Sequence, residues 1–215
     1  MVSIGCGASI GYRARAEVKI EQSAKLTAEQ RASVEAKVLG IRLELVQALR
    51  GEKYEPNATC SRCNRKLTPL EIIKGFNNDP NDFTTCCSAC GYRFEPRLVC
   101  FVDGARIEVA FYCDCQTLEQ LRGKENLSPK ELCAKFPAIY RSAIIHNGSI
   151  KRSFKKIGIN YLFEEVSIWK NKIKPFLGRL PDTVIANYVN VSPSTIGAMR
   201  KKLGIARYSK RMLLE

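Results

Sequence analysis

The residues of this chain best suited to chemistry are Cys60-Ser61-Arg62-Cys63 and Cys86-Cys87-Ser88-Ala89-Cys90-Gly91. They form two Cys-x-x-Cys pairs with 23 residues between Cys63 and Cys87, the spacing of a tetrahedral thiolate site. Each pair fits a tight turn that aims two sulfurs at one point, and the loop between them closes the tetrahedron. Thiolates favour a soft or borderline ion, so Zn²⁺ is the first candidate and an iron–sulfur cluster the second. With sulfur at all four positions, none is left for water or substrate. The expectation is one structural zinc held by Cys60, Cys63, Cys87 and Cys90. Of the adjacent Cys86 and Cys87, either can in principle ligate; the spacing to Cys90 favours Cys87 and leaves Cys86 a small buried residue. Reduced core cysteines or disulfides are the plainer alternative.

The pattern Cys60-x-x-Cys63, Leu67-Thr68, Asp82-Phe83-Thr84-Thr85 and Cys87-x-x-Cys90-Gly91-Tyr92 resembles a zinc ribbon, the small β module of many transcription and replication proteins. The resemblance covers residues 57–98. It implies the metal site and says little about the task. Downstream, Cys113 and Cys115 form a Cys-x-Cys pair. A second metal would need two more ligands, and Cys6, Cys100, Cys133 and His146 have no ligand spacing to one another.

Other catalytic sets are hard to assemble. There is one histidine in the chain, no glycine-rich phosphate loop and no Ser/His/Asp set. Asp79, Asp82 and Glu95 are conceivable Mg²⁺ ligands of a nuclease, but carboxylates beside a ribbon usually serve its turns. A protein without enzymatic activity is expected.

The formal charge is +14, and it is unevenly spread. Residues 147–215 hold 14 Lys/Arg against 4 Asp/Glu, a net of +10, whereas residues 1–146 hold 21 against 17, a net of +4. That places an anion-binding end, most simply for nucleic acid, on a more neutral body. No run of apolar residues is long enough for a membrane span, and ten cysteines in metal-like spacing argue for a reducing, cytoplasmic, nucleoid-associated location.

The elements that must position these residues can be read in order. Met1–Ala24 has no period and suggests a loose or extended arm. Thr27 and Gln30 form a capping box for a helix running over residues 28–50 and stopping at Gly51. Its stripe of Val34, Val38, Ile41, Leu45 and Leu49, widened by Leu39, Leu43 and Val46, makes it a core helix or a surface for self-association. Asp103-Gly104 between two β-rich runs marks a hairpin that extends the ribbon sheet. Ser128-Pro129-Lys130-Glu131 caps a helix, and from there the chain reads as all helical. The fold class is therefore α+β, in three units: residues 1–122, with the first helix, ribbon and hairpin; 123–162, a helical unit; and 163–215, a C-terminal helical unit.

The stretch from Leu177-Gly178 through Ile185-Ala186, Val191-Ser192 and Ser194-Thr195-Ile196 to Leu203-Gly204-Ile205 resembles the helix-turn-helix of bacterial and phage DNA-binding proteins, most clearly over residues 182–204. Asn190 occupies the turn position that prefers a left-handed backbone. The resemblance implies base contacts from Ser194, Thr195 and Ala198, close approach at Gly197, and phosphate contacts from Ser192, Lys201, Lys202, Arg207 and Lys210. At an offset of 46 residues, Ser149-Ile150 and Lys155-Lys156-Ile157-Gly158-Ile159 align with Thr195-Ile196 and Lys201-Lys202-Leu203-Gly204-Ile205. Residues 128–160 thus read as a second such unit, with Ser149, Lys151, Arg152 and Lys155 on its face; they also resemble a small helical repeat accompanying some homing endonucleases. Ile144 stands where Gly or Asn is wanted, and His146-Asn147-Gly148 suggests a longer loop. A joining helix is expected over Glu164–Leu177.

The reading is a zinc-stabilised, sequence-specific binder of double-stranded DNA, of the kind found among bacterial or phage transcription regulators, with RNA polymerase as a further candidate partner. The alternatives are an RNA-binding or ribosome-associated zinc protein and an accessory to a DNA-processing nuclease. The RNA reading predicts exposed aromatic side chains among the basic ones.

Overall fold

The computed structural model describes residues 26–163 and 169–214. The N-terminal arm and most of the first half of the expected joining helix lie outside them. The chain builds a mixed α+β architecture with eight α-helices among the described residues and a small antiparallel sheet.

Helix α1 (Ala28–Arg50) begins at the capping box of Thr27 and Gln30 and ends at Gly51, whose φ is +77°. Val34, Leu39, Ile41, Leu45, Val46 and Leu49 are buried on it, so its apolar stripe is covered within the chain. Strand β1 (Lys53–Thr59) alternates exposed and buried residues, with Tyr54, Pro56 and Ala58 inward. Strand β2 (Lys66–Leu67), helix α2 (Pro69–Gly75), β3 (Thr85–Cys86) and β4 (Arg93–Phe94) follow. Strands β5 (Arg97–Val102) and β6 (Ala105–Ala110) form the hairpin, turning through Asp103 and Gly104 at φ +48° and +81°. Both central residues have positive φ, as a two-residue turn matched to strand twist requires. The sheet order is β2-β1-β5-β6, with Tyr54 opposite Cys100, while β3 and β4 pair separately. The hairpin therefore extends the sheet through β1, the strand that delivers Cys60.

Helices α3 (Asp114–Leu121), α4 (Pro129–Lys135), α5 (Pro137–Asn147) and α6 (Ile150–Lys156) come next, then α7 (Asp182–Val189) and α8 (Pro193–Lys202), and a 3-10 helix, Lys210–Leu213, follows. Ser128 caps α4 through a complete capping box. The loop expected at His146-Asn147-Gly148 is shorter than anticipated, because His146 and Asn147 remain helical. Gly148 alone turns the chain at φ +86°, and Ser149 caps α6. A Cβ on Gly148 would come within 3.0 Å of the Tyr188 ring, so α7 seals this turn. The joining helix is not seen in its described part, Trp169–Leu177. That stretch is turns and a 3-10 helix, Lys174–Phe176. Pro175 has no N–H to continue an α-helix.

One buried cluster runs from Ile41 and Leu45 through Leu98, Phe111 and Leu132 to Ile145, Phe154, Ile185 and Ile196, passing through all three units suggested by the sequence. Helix α1 is tied across it. Arg42 donates to the carbonyl of Ile145 (2.6 Å), the carbonyl of His146 (3.1 Å) and the Tyr188 hydroxyl (2.9 Å), and Arg50 donates to the Gly148 carbonyl (3.3 Å). Two guanidinium groups thus satisfy the carbonyls left open at the C-terminus of α5 and complement its dipole.

His146 stacks on Phe111 (5.4 Å, 3°) and donates through Nε2 to the Tyr112 carbonyl (2.8 Å). Burial holds its pKa below the ordinary 6.5, against the pull of Asp114 and with Arg42 and Lys156 nearby. The unfolded chain takes up this proton as pH falls below about 6.5 and the folded chain does not, so stability present above that pH is lost below it. Thermal unfolding from pH 7.5 to 5.5 is expected to show a steeper loss for the wild type than for His146→Phe. Equal slopes would remove His146 from the pH response, and the comparison separates it from the cysteines common to both proteins.

Candidate metal centre and nucleic-acid interface

The two Cys-x-x-Cys turns are near copies of each other. Cys60 directly follows β1; its N–H donates to the Arg65 carbonyl (2.9 Å) and its carbonyl accepts from Asn64 (2.8 Å). In the second turn the Cys87 N–H donates to the Tyr92 carbonyl and the Gly91 N–H to the Cys87 carbonyl, both at 2.9 Å. Asn64 and Gly91 occupy the same place and both have positive φ, +55° and +70°. Only glycine, and less readily asparagine, takes that conformation at low cost. Sequence reasoning missed Asn64, although the match of Cys-Ser-Arg-Cys-Asn to Cys-Ser-Ala-Cys-Gly carried the signal.

The turns bring Cys60, Cys63, Cys87 and Cys90 together, every sulfur within 4.8 Å of the others. Cys60 and Cys90 sulfurs are 3.6 Å apart, and those of Cys63 and Cys87 3.7 Å. Four sulfurs around one ion at a bond length of about 2.3 Å stand about 3.8 Å apart, so the donor set fits a single tetrahedral ion. An iron–sulfur cluster distributes its thiolates over two or more irons, which sets some of the sulfurs farther apart than around a single ion. Backbone N–H groups of Ala89 and Cys90 bring the Cys87 thiol down to about 7, which supplies the ligating thiolate at neutral pH. The Tyr92 N–H favours a thiolate at Cys90, yet burial and the three neighbouring sulfurs push that thiol up to about 12. A cation at the centre removes this repulsion.

Cys86 is not among the four. It lies half-buried on β3 opposite Arg93, its sulfur 3.5 Å from the Gly91 carbonyl. The turns are braced from outside. Glu71 caps α2, accepts from Arg65 (2.7 Å) and accepts from Ser88 (2.8 Å), linking both turns to one helix. Asp82 accepts from the Thr84 N–H (3.0 Å) and pairs with Arg93 (2.8 Å), and Asp79 accepts from the Asn81 N–H (2.8 Å). These carboxylates serve turns. Cys113 and Cys115 sulfurs lie 2.8 Å apart at the start of α3, the Cys113 thiol pushed up to about 12 by burial. Cys6 lies outside the described residues.

The second candidate surface is the α7–α8 pair. Asn190 takes φ +54°, as the turn demands, and the Val191 N–H returns to the Ala186 carbonyl (3.1 Å). Ile185, Ala186 and Ile196 are buried between the helices. Ser192 caps α8 by accepting from the Thr195 N–H (3.2 Å). Ser192, Ser194, Thr195, Ala198, Lys201, Lys202 and Arg207 are all exposed. Lys210 belongs elsewhere, in a hollow of about 420 Å³ that it shares with Arg31, Val34 and Tyr208. A Cβ on Gly197 would stand 3.3 Å from the Asp182 carboxylate, and the residue is half-buried where it lines the cleft along α8. Arg200, in the basic last turn of α8, is buried. Its Nε donates to Asp182 Oδ1 (3.1 Å) and its Nη1 to the Ile205 carbonyl (3.0 Å), locking the pair.

On α6, Ser149 is fully buried as a helix cap and its hydroxyl accepts from the Arg152 N–H (3.1 Å), which removes it from any binding face. Lys155 and Arg152 are exposed and Lys151 half-exposed. The 46-residue repeat holds at the helix ends. Gly158 and Gly204 have φ +77° and +67°, and Ile159 and Ile205 return to Phe154 (3.0 Å) and Arg200 (3.1 Å). It fails at the turn, because α6 has 7 residues and α8 has 10. Among the aromatic residues of this end, Tyr161 and Tyr188 are buried, Trp169 and Tyr208 half-buried, and Phe163 is exposed.

The chain matches no known family model, no curated protein and no solved structure. Among the described residues no helix is long and apolar enough to cross a membrane.

Proposed function

We propose that this chain is a sequence-specific binder of double-stranded DNA without enzymatic activity, stabilised by one structural zinc, and that it acts as a transcription regulator of bacterial or phage type. The observation that carries the reading is the outward face of α8. Its first turns expose small hydroxyl side chains, its last turn exposes Lys201 and Lys202, and its inner face is locked to α7 by Ile196 and Arg200. A helix so held can lie in a major groove with its N-terminal residues at base edges and its basic end against phosphates. Four thiolates supply a borderline ion with a closed tetrahedron, which suits zinc in a structural role. When bound, that ion cross-links the two turns; the chemistry of DNA recognition rests on the helices.

The roles of the two ends of α8 separate experimentally. Lys201→Ala should weaken binding to every duplex and lower the salt dependence by about one phosphate contact, a slope change of about 0.9. Thr195→Ala should leave the slope intact and alter base preference, at about 1–3 kcal/mol for a base it reads. Titration against a panel of duplexes at several salt concentrations measures both. Identical behaviour of the two variants would overturn the groove assignment.

A further inference from the structure

The N-terminus of helix α8, together with Thr183 of α7, separates two clefts. One, of about 820 Å³, opens between α6 and the α7–α8 turn and has Lys151, Arg152 and Lys155 on one wall and Asn187, Asn190 and Ser192 on the other. The second, of about 830 Å³, runs along α8 itself and is lined by Ser194, Gly197, Ala198, Lys201, Arg207 and Tyr208. Thr183 and Pro193 line both, so the clefts meet at the N-terminus of α8. No carboxylate lines the first cleft among the described residues. The second holds one, Asp182, and that group is committed to Arg200. Both clefts are therefore built for an anion of extended shape rather than for a small apolar ligand.

We infer that the two clefts receive the two sugar–phosphate backbones that border a single major groove, and that α6 is a backbone clamp rather than a second reading helix. This rests on the reading of α8 as the groove-entering helix. An α-helix with side chains is about 10–12 Å across and the major groove about 12 Å wide, so a helix seated there has a phosphate strand along each flank. A protein that seats it needs an open, cationic channel on both sides, and this chain has one on each side of the α8 N-terminus, the end that would meet base edges. Helix α6 has a different character from α8. Its N-terminal cap Ser149, together with Ile150, Ser153 and Phe154, is buried, so its first turn offers cations and no free hydroxyl row to base edges. Arg152 and Lys155 suit phosphate oxygens, which position a protein without specifying sequence. The site is then short, confined to one groove segment. The tandem arrangement suggested by the sequence repeat gives two structural units and one reader.

The test uses the full, metal-loaded chain on the duplex it selects from random sequence, with phosphate-ethylation interference as the readout. Wild type should give two clusters of interfering phosphates, one per strand, flanking one major groove. The double variant Arg152→Ala/Lys155→Ala, altered only at exposed positions, should erase one cluster, lower the salt slope by about 1.8 and leave the selected motif unchanged. A motif that shortens or changes at one end would overturn the inference, because α6 would then be reading bases. A persisting cluster with an unchanged slope would also overturn it, since the cleft would hold no backbone. Failure of the wild type to select any duplex, or preference for a single strand, would defeat the reading of α8 itself and is distinguishable because it appears before any variant is made.

Discussion

Cys60→Ser is expected to bring bound metal from one equivalent to about zero and to abolish cooperative folding of the sheet half. Cys60 is fully buried where β1 ends, and β1 pairs with both β2 and β5. A structural zinc contributes about 10–16 kcal/mol of apparent binding free energy to folding, comparable with the whole net stability of a domain of about 5–15 kcal/mol. Losing one of four thiolates forfeits most of that, and the β2–β4 region has little else to hold it: two-residue strands and a seven-residue helix. Cys90→Ser should behave alike. Cys86→Ser should retain the metal and the native melting profile, because its sulfur faces the Gly91 carbonyl outside the tetrad. Metal analysis with thermal unfolding checks all three, and one equivalent of metal in Cys60→Ser would contradict the ligand assignment.

The second large effect is expected at Arg200. Side-chain exposure is 8% for Arg200 and 16% for Asp182 across their ion pair, so Arg200→Ala strands a carboxylate in a poorly solvated site. Removing one member of such a pair costs about 3–5 kcal/mol, a fall in Tm of roughly 6–20 °C in a chain this size. DNA binding should fall with the folded population. Lys201→Ala, one residue on, should keep the native Tm and lose only phosphate contact. Replacing both partners, as Arg200→Met/Asp182→Leu, should recover much of the stability. An Arg200→Ala protein within about 1 kcal/mol of wild type would show that the pair is solvated and that Ile185 and Ile196 hold the helices alone.

What the sequence made legible was what neighbouring residues decide. Thr27, Gln30 and Gly51 bounded α1, Asp103-Gly104 made the hairpin turn, and Asn190 took the left-handed turn, all from local chemistry. The cysteine tetrad was legible because two short-range spacings sufficed, and Cys87 rather than Cys86 followed from the same spacing. Long-range partners were not legible. Nothing in the sequence near Arg42 and Arg50 marks a partner for them, yet they cap α5 from about a hundred residues away. Ser149 has the look of a polar surface residue, yet it is fully buried as the cap of α6. His146-Asn147-Gly148 looked like a loop because the helix end was placed by residue type, whereas α5 runs on to Asn147 and His146 packs against Phe111 from a distant strand end. The expected joining helix overlooked Pro175, a signal that was present.

The most direct test of the central claim is selection of duplex DNA from random sequence by the purified, metal-loaded chain at moderate salt. The account predicts convergence on a short motif within one helical turn, bound with strong salt dependence and lost when α8 is altered at Thr195. Salt-sensitive binding with no converged motif, or tighter binding to RNA than to duplex DNA, would contradict it.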